Sequence, residues 1–217
     1  MSDSPETEPK SPSQARPQPR PQPRPRPRPR RRADARRSRQ SILDAAVQLL
    51  NAQPDASVEA IAAVAGVTRQ TVYAHFPSRE HLWAGALDRV TEDAVAAMDA
   101  ACLDEGPAAE ALLRLLDAGR RTAGRYPVLM RRAASLPVPP QTDRARHEAV
   151  TDRLRRIIQR GQDSGEFDDG LPLDWLVTVV VRLGHAASDD AAAERMTEDE
   201  AADALRVTLL RVLGADT

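Results

Sequence analysis

One run of residues in this chain has the composition of a β-strand, and it covers residues 177–181. No second run rich in β-branched or aromatic residues is available to pair with it, and a lone strand leaves its backbone hydrogen bonds unmade. Elsewhere, apolar residues recur at i, i+3, i+4 and i+7, which is the pattern of an amphipathic α-helix. We therefore predict an all-α fold in which residues 177–181 belong to a helix buried on several sides.

Proline and glycine residues divide the chain after about residue 35 into successive helical segments. We predict helices over residues 35–53, 58–65, 69–76, 79–103, 107–123, 126–135, 141–164, 172–188 and 197–213. The inner face of the second helix is expected to carry Ile61, Val64 and Ala65. The apolar face of the last helix is expected to consist of Ala202, Leu205, Leu209, Val212 and Leu213.

The formal net charge of −1 conceals two oppositely charged parts of the chain. Residues 1–40 hold 12 Lys and Arg against four Asp and Glu, whereas residues 41–217 hold 19 against 28. A basic segment joined to an acidic body is typical of a chain that binds a polyanion through that segment. The single cysteine excludes an intrachain disulfide, and no apolar run is long enough for a membrane span or a secretory signal. We expect a cytoplasmic, nucleoid-associated protein.

Residues 1–35 form a Pro/Arg-rich arm that we expect to be disordered, because ten of the 18 prolines lie there with almost no large apolar residue. The alternation of proline with Arg and Gln from residue 16 to residue 32 favours an extended polyproline II conformation. Such an arm can bind phosphates or enter a minor groove. The arginines predicted to do so are Arg24, Arg26, Arg28 and Arg30. The alternatives are a solvated tail without a specific role and a PxxP ligand for an SH3-like groove.

Residues 36–85 carry the pattern of a helix-turn-helix, in which a tight glycine-containing turn joins two short helices. Gly66 is placed to end the second helix of the chain, and Thr68 is placed to cap the third. In that third helix, Val72 and Phe76 are expected to point toward the first two helices. The opposite face carries no acid and no large apolar residue, so it can enter a major groove. Three ordinary packed helices with a polar surface are the alternative.

The residues predicted to contact DNA lie on the third helix and at the helix starts around it. Glutamine can read adenine in the major groove, and free backbone N–H groups at helix starts attract phosphates. The predicted set is Ser57, Thr68, Arg69, Gln70, Thr71, Tyr73, His75, Ser78 and Arg79.

Residues 57–82, with the sequence SVEAIAAVAGVTRQTVYAHFPSREHL, closely resemble the DNA-binding domain of the TetR family of bacterial transcriptional regulators. The resemblance covers roughly residues 36–85 and rests on a helix-turn-helix followed by Val-Tyr-x-His-Phe, a short break, a charged residue and leucine. It implies an all-helical homodimer, with a three-helix DNA-binding head and, over residues 86–217, a body of about six helices with a ligand pocket. It also implies DNA contacts by residues 68–71, Tyr73 and His75. Arg79 stands where many relatives have lysine, which keeps the charge but changes the geometry.

The resemblance further implies that helices 172–188 and 197–213 form a four-helix dimer interface. An intrachain core position is the alternative for the first of them. A two-fold dimer would place two reading heads about 34–36 Å apart on a near-palindromic operator. The side chains on helices that would surround a ligand pocket are Trp83, Met98, Tyr126, Met130, His147 and Trp175, with ordinary core packing as the alternative for each.

The helix-turn-helix pattern predicts a sequence-specific DNA-binding protein, and the resemblance implies a transcriptional regulator, acting as a repressor that a small-molecule effector releases from double-stranded DNA. The alternative is a nonspecific or architectural nucleic-acid-binding protein driven by the basic arm. The sequence contains no recognisable phosphate-binding glycine loop, metal-ligand cluster or catalytic constellation. No cofactor, metal or enzymatic activity is therefore predicted, and Cys102 is expected to be a buried, unreactive thiol.

Overall fold

The computed structural model describes residues 29–135 and 140–215, and the regular elements within these ranges are nine α-helices without a strand. The predicted all-α class is confirmed, and residues 177–181 lie inside a helix. The helices are α1 (Pro29–Ala52), α2 (Val58–Val64), α3 (Arg69–His75), α4 (Arg79–Asp99), α5 (Ala108–Arg125), α6 (Pro127–Ser135), α7 (Pro140–Ser164), α8 (Leu173–Ala192) and α9 (Glu198–Val212).

Helix α1 begins at Pro29, about six residues before its predicted start. Proline is tolerated in a first helical turn, because its missing N–H would be unpaired there in any case. The following Arg and Ala residues are strong helix formers, so the prediction of disorder and extended structure was wrong for residues 29–35. Arg30 therefore lies in the first turn of α1. Arg24, Arg26 and Arg28 lie outside the described residues.

Helix α4 ends at Asp99 rather than near residue 103. Cys102 follows with a left-handed backbone at φ +51°, which turns the chain away from the helix axis. The guanidinium of Arg114 on α5 donates to the carbonyls of Ala101 and Cys102, at 3.0 Å each. It thereby satisfies carbonyl groups that a longer helix would have paired. Cys102 is exposed in this turn, so the prediction of a buried thiol was wrong.

The buried stripe of α2 shares Ile61 with the predicted one and differs from it at Val64. Val58, Ile61 and Ala62 are buried, with the spacing i, i+3 and i+4, and Ala65 is half-buried. Val64 lies on the outer side of this stripe and is 54% exposed, so its predicted inward position was wrong.

The buried apolar residues of the described ranges form two clusters. The first contains residues of α1, α2, α3 and the first half of α4, together with Leu129 of α6. The second joins the end of α4 to α5, α7, α8 and α9, and includes Leu209 and Leu213 from the predicted apolar face of α9. Helix α4 contributes Val90 to the first cluster and Met98 to the second. It is therefore the continuous element between the N-terminal helices and the body.

Candidate nucleic-acid interface

Helices α2 and α3 are joined by a tight turn, and each of them begins at the capping residue that the sequence predicted. The Ser57 hydroxyl accepts a hydrogen bond from the backbone N–H of Ala60 at 3.1 Å. The Thr68 hydroxyl accepts one from the N–H of Thr71, also at 3.1 Å. Between the helices Gly66 has φ +67°, a conformation that glycine adopts without steric cost. These local contacts fix where each short helix begins and ends.

Two buried side chains hold α3 against the rest of the N-terminal helices. Val72 is 1% exposed and Phe76 is 4% exposed, so both point inward as predicted. The Arg39 guanidinium of α1 lies 5.2 Å from the centroid of the Phe76 ring. On the other side α4 approaches closely at Gly85, where a Cβ atom would stand 2.9 Å from the Phe76 ring. Helix α3 is therefore anchored through one face, and its opposite face is exposed on the surface of the protein.

The presented face of α3 is polar and small. Gln70 and Ala74 are exposed, and Tyr73 is 38% exposed on the flank. Thr71 is half-buried, with its hydroxyl 2.9 Å from the hydroxyl of Thr68. A ridge of this shape, with a free amide and a methyl group, fits a major groove and its adenine and thymine edges.

Arg69 is held in place by two neighbours, one of which the sequence analysis did not identify. Its guanidinium forms an ion pair with the carboxylate of Glu59 on α2 and lies 5.4 Å from the centroid of the Tyr73 ring. A backbone N–H at the start of α2 and the charge of Arg69 both lower the pKa of Glu59. Sequence spacing gives no signal for this pair, because the contact depends on how α2 crosses α3.

The start of α4 is capped and tied to the loop before α2. The Ser78 hydroxyl accepts a hydrogen bond from the N–H of His81 at 3.3 Å and lies 3.0 Å from the Nδ1 atom of that ring. Arg79 donates to the carbonyl of Pro54 at 2.9 Å and is half-buried. A guanidinium has five donors, so this contact leaves others for a phosphate. His75 is half-buried at the end of α3.

Two side-chain networks connect α6 to α1 and α4. Asn51, in the last turn of α1, accepts hydrogen bonds from the N–H groups of Val128 at 3.2 Å and Leu129 at 3.4 Å. Its amide nitrogen donates to the carbonyl of Arg125 at 3.1 Å. The Tyr126 hydroxyl donates to Asp93 of α4 at 3.1 Å. The N-terminal end of α6 is therefore attached to the same helices that support α3.

Arg89 of α4 extends the second network to α1. Its guanidinium forms ion pairs with Asp93 on its own helix and with Asp44 on α1, the latter at 3.2 Å. The carboxylate that accepts from Tyr126 is therefore also paired with the arginine that contacts α1.

The structure brings together some of the residues predicted for a ligand pocket and separates the others. Trp83 is buried in the first cluster, and Tyr126 and Met130 pack against that cluster. Met98 belongs to the second cluster. The remaining two stand apart: the His147 ring lies 5.4 Å from the ring of His185, and Trp175 is 57% exposed.

Two surface depressions of the described chain lie elsewhere. One is open between α7 and the start of α8, where Arg155, Arg160 and Leu173 line it. The other lies beside the turn after α4, next to Cys102 and Arg114. Neither contains a predicted pocket residue. Within the same ranges we find no group of three metal-binding side chains, and no helix is long and apolar enough to cross a bilayer.

A capped helix-turn-helix with an anchored, exposed second helix defines the class of helix-turn-helix DNA-binding proteins. The family profile described as "Bacterial regulatory proteins, tetR family" matches residues 42–85. The domain in residues 42–85 is therefore similar to the DNA-binding domain of TetR-family regulators, as the motif in residues 57–82 indicated.

Two curated proteins are similar to the N-terminal part of the chain. The HTH-type transcriptional repressor LfrR of Mycolicibacterium smegmatis is 38% identical over 81 residues, which are 37% of this chain and 43% of LfrR. The uncharacterized HTH-type transcriptional regulator TtgW of Pseudomonas putida is 52% identical over 46 residues, which are 20% of this chain and 34% of TtgW. The matched segments thus span less than half the length of either curated relative.

Comparison with a solved structure extends the similarity from the helix-turn-helix to the body of the chain. The crystal structure of LfrR in complex with proflavine is 26% identical, with a TM-score of 0.57, and the match covers 85% of this chain and 99% of that one. The likeness in fold to this TetR-like regulator therefore extends well beyond the helix-turn-helix.

Proposed function

We propose that this chain is a sequence-specific DNA-binding transcriptional regulator, acting as a dimeric repressor that a small molecule releases from its operator. The observation that carries the proposal is the geometry of α3, whose outer face exposes Gln70 while Val72 and Phe76 fix its inner face. The likeness to LfrR, a transcriptional repressor, supports repression. The same comparisons do not favour an architectural protein driven by the basic arm.

The test of DNA reading is a selection of duplexes from a random library with the full chain. We expect the selected duplex to bind about 10³-fold or more tightly than a scrambled duplex of the same composition. A Gln70→Ala, Thr71→Ala double variant should lose at least roughly 10- to 100-fold on the selected duplex, because the loss of a single good base contact already costs about 1–3 kcal/mol. Gln48→Ala, an exposed amide of α1, is the matched control. Equal binding of every duplex by parent and double variant would refute groove reading.

Dimer formation through α8 and α9 is supported by the surface that α8 leaves uncovered. Trp175 is 57% exposed on α8, and Thr178, Arg182 and Ala186 continue the same exposed stripe at helical spacing. A large aromatic ring in contact with water is typical of a protein interface. In sedimentation equilibrium we expect the full chain to be a dimer and Trp175→Arg to shift it toward monomer. Val64→Arg, which also replaces an exposed apolar residue, should leave the dimer intact.

Release by a ligand requires that the body and the reading helix move together. Asn51 joins α1 to the first turn of α6, and Asp93 joins Tyr126 to α4, so a displacement of α6 would be transmitted to both helices that support α3. Coupling arises only if the ligand binds one arrangement more tightly than the other.

The grouping of Trp83, Tyr126 and Met130 supports a ligand site beside α6. The indole N–H of Trp83 is buried and has no hydrogen-bond partner in the described chain, and the Arg132 guanidinium lies 5.1 Å from the centroid of its ring. A ligand acceptor that reached this N–H would remove the cost of leaving it unpaired. Proflavine, the ligand in the LfrR structure, is a suitable first probe. We expect it to quench Trp83 in a Trp175→Phe variant and to bind more weakly when the operator is present.

A further inference from the structure

The carboxylate of Glu59 is paired with a side chain of α3, the helix proposed to read DNA. It lies at the second position of α2 and contacts the Nη1 atom of Arg69, the first residue of α3. Both side chains are more than half exposed, at 54% for Glu59 and 61% for Arg69. The pair therefore lies on the surface that would face DNA rather than in the core.

Tyr73 restricts the same guanidinium from a second direction. The guanidinium carbon is 5.4 Å from the ring centroid, a distance at which a cation is attracted to the face of an aromatic ring. With Glu59 at Nη1 and a ring along one side, the planar fork of Arg69 has a defined orientation. The other donors of the fork remain available for an acceptor.

An arginine at this position has two kinds of target on DNA. A phosphate accepts it in any sequence, which raises nonspecific affinity, whereas the O6 and N7 atoms of guanine accept it in a fixed, bidentate geometry. A carboxylate beside the guanidinium affects the two targets differently. It neutralises the charge that phosphates attract, and it holds the fork in one orientation.

We infer that Glu59 is a specificity-determining residue, which positions Arg69 for a guanine edge and restrains it from the phosphates of unrelated DNA. The inference rests on the proposed function, because it presumes that α3 reads a DNA sequence. Glu59 acts through Arg69 and is a positioning residue rather than a base-contacting one.

The experiment compares Glu59→Gln with the parent chain on the duplex selected by the parent and on a scrambled duplex. Glutamine keeps the size of the side chain and removes its charge. We expect the affinity for the scrambled duplex to rise about 3- to 10-fold and the ratio of selected to scrambled binding to fall at least about 5-fold. The salt dependence on the scrambled duplex should steepen by about 0.9 in log–log slope, the amount for one additional neutralised phosphate.

Three further variants separate positioning from a simple change of charge. Glu59→Gln should have no effect on the ratio in an Arg69→Ala background, because the group it positions is then absent. Glu59→Asp keeps the charge, so its affinity for the scrambled duplex should stay close to that of the parent. Asp55→Asn removes one exposed negative charge from the loop before α2 and should leave the ratio unchanged.

The outcomes distinguish this inference from the proposed function. If Glu59→Gln tightens both duplexes by the same factor, or acts equally with and without Arg69, Glu59 repels DNA only through its charge and the inference is wrong. If the parent selects no duplex from the library, the proposed function fails and the inference fails with it. If the parent selects a duplex but Glu59→Gln leaves the ratio of selected to scrambled binding unchanged, the inference is refuted and the proposed function stands.

Discussion

The carboxylate of Glu166 holds the first turn of α5, because its Oε2 atom accepts a hydrogen bond from the backbone N–H of Ala109 at 3.2 Å. Glu166 lies in the turn after α7, so the contact joins two helices of the body. Pro107, the residue before α5, offers no side-chain acceptor to its own helix. Backbone N–H groups of Ala108 and Ala109 hold the pKa of Glu166 below its usual value.

This contact predicts a pH dependence of stability. A carboxyl group whose pKa is lowered by folding stabilises the protein above its unfolded pKa, about 4.3 for glutamate, and loses that effect as the pH falls through the folded pKa. Glu166→Gln should therefore lower the free energy of unfolding at pH 7 by roughly 0.3–1 kcal/mol, the usual effect of a charge at a helix start. At pH 3 the variant and the parent should differ less. Urea unfolding at both pH values measures this.

Asp169→Asn is the matched control, since Asp169 is exposed in the same turn. An equal loss at pH 3 and pH 7 for Glu166→Gln would show that the carboxylate charge does not stabilise α5.

Replacement of Asn51 should loosen the start of α6 selectively. Asn51→Ala removes the hydrogen bonds that this side chain accepts from Val128 and Leu129 and the one that it donates to Arg125. We expect a loss of about 1–2 kcal/mol in the free energy of unfolding, which is the usual cost of removing a helix cap. In native-state hydrogen exchange, the replacement should accelerate the exchange of the Val128 and Leu129 amides, relative to the parent, more than that of amides in the middle of α5.

Gln48→Ala, which removes an exposed amide from the same helix, should change neither quantity. If exchange accelerates uniformly across α5 and α6 in Asn51→Ala, the side chain contributes general stability and does not specifically fix α6.

The parts of the interface that sequence alone predicted are those set by neighbours along the chain. Ser57 and Thr68 cap the residue three positions later, and Gly66 adopts the backbone angle that ends a helix. Val72 and Phe76 share a face because they are four residues apart in a helix. Each of these relations spans a few residues, so periodicity and capping chemistry were sufficient to identify it.

The relations that were missed depend on how helices cross. Glu59 meets Arg69 across a turn, and Asn51 meets Val128 from 77 residues away. Position along the chain does not encode such approaches, because they follow from the packing of α2 on α3 and of α6 on α1. The early start of α1 was missed for another reason. The prolines before residue 29 dominated the composition of a window whose last residues are good helix formers.

Replacement of two glycines in the body by alanine should change the stability of the protein in opposite directions. A Cβ atom at Gly161 of α7 would stand 2.2 Å from the ring of Phe167, which is 2% exposed. Gly161→Ala should therefore destabilise the protein by about 1–3 kcal/mol, the range for overpacking a core. At Gly124 of α5 a Cβ would have no described heavy atom within 4 Å, so alanine should stabilise by up to about 1 kcal/mol. Thermal unfolding of both variants decides the signs.

The charged arm before α1 should raise DNA affinity without changing sequence preference. Deletion of residues 1–28 leaves α1 intact from Pro29 and removes five arginines and the single lysine. Phosphate contacts are independent of sequence, so we expect binding to weaken by a similar factor on selected and scrambled duplexes. The plot of log affinity against log salt should become flatter by about 0.9 for each phosphate that the arm neutralises in the full-length protein.

A full-length variant with Arg24, Arg26 and Arg28 replaced by glutamine separates charge from length, since it keeps the prolines and the size of the arm. This variant should flatten the plot of log affinity against log salt by part of the amount expected for the deletion. An unchanged salt slope after deletion of residues 1–28 would show that the arm does not contact DNA phosphates. A fall in the ratio of selected to scrambled binding would instead show that the arm reads sequence or groove shape, because phosphate contacts alone weaken both duplexes equally.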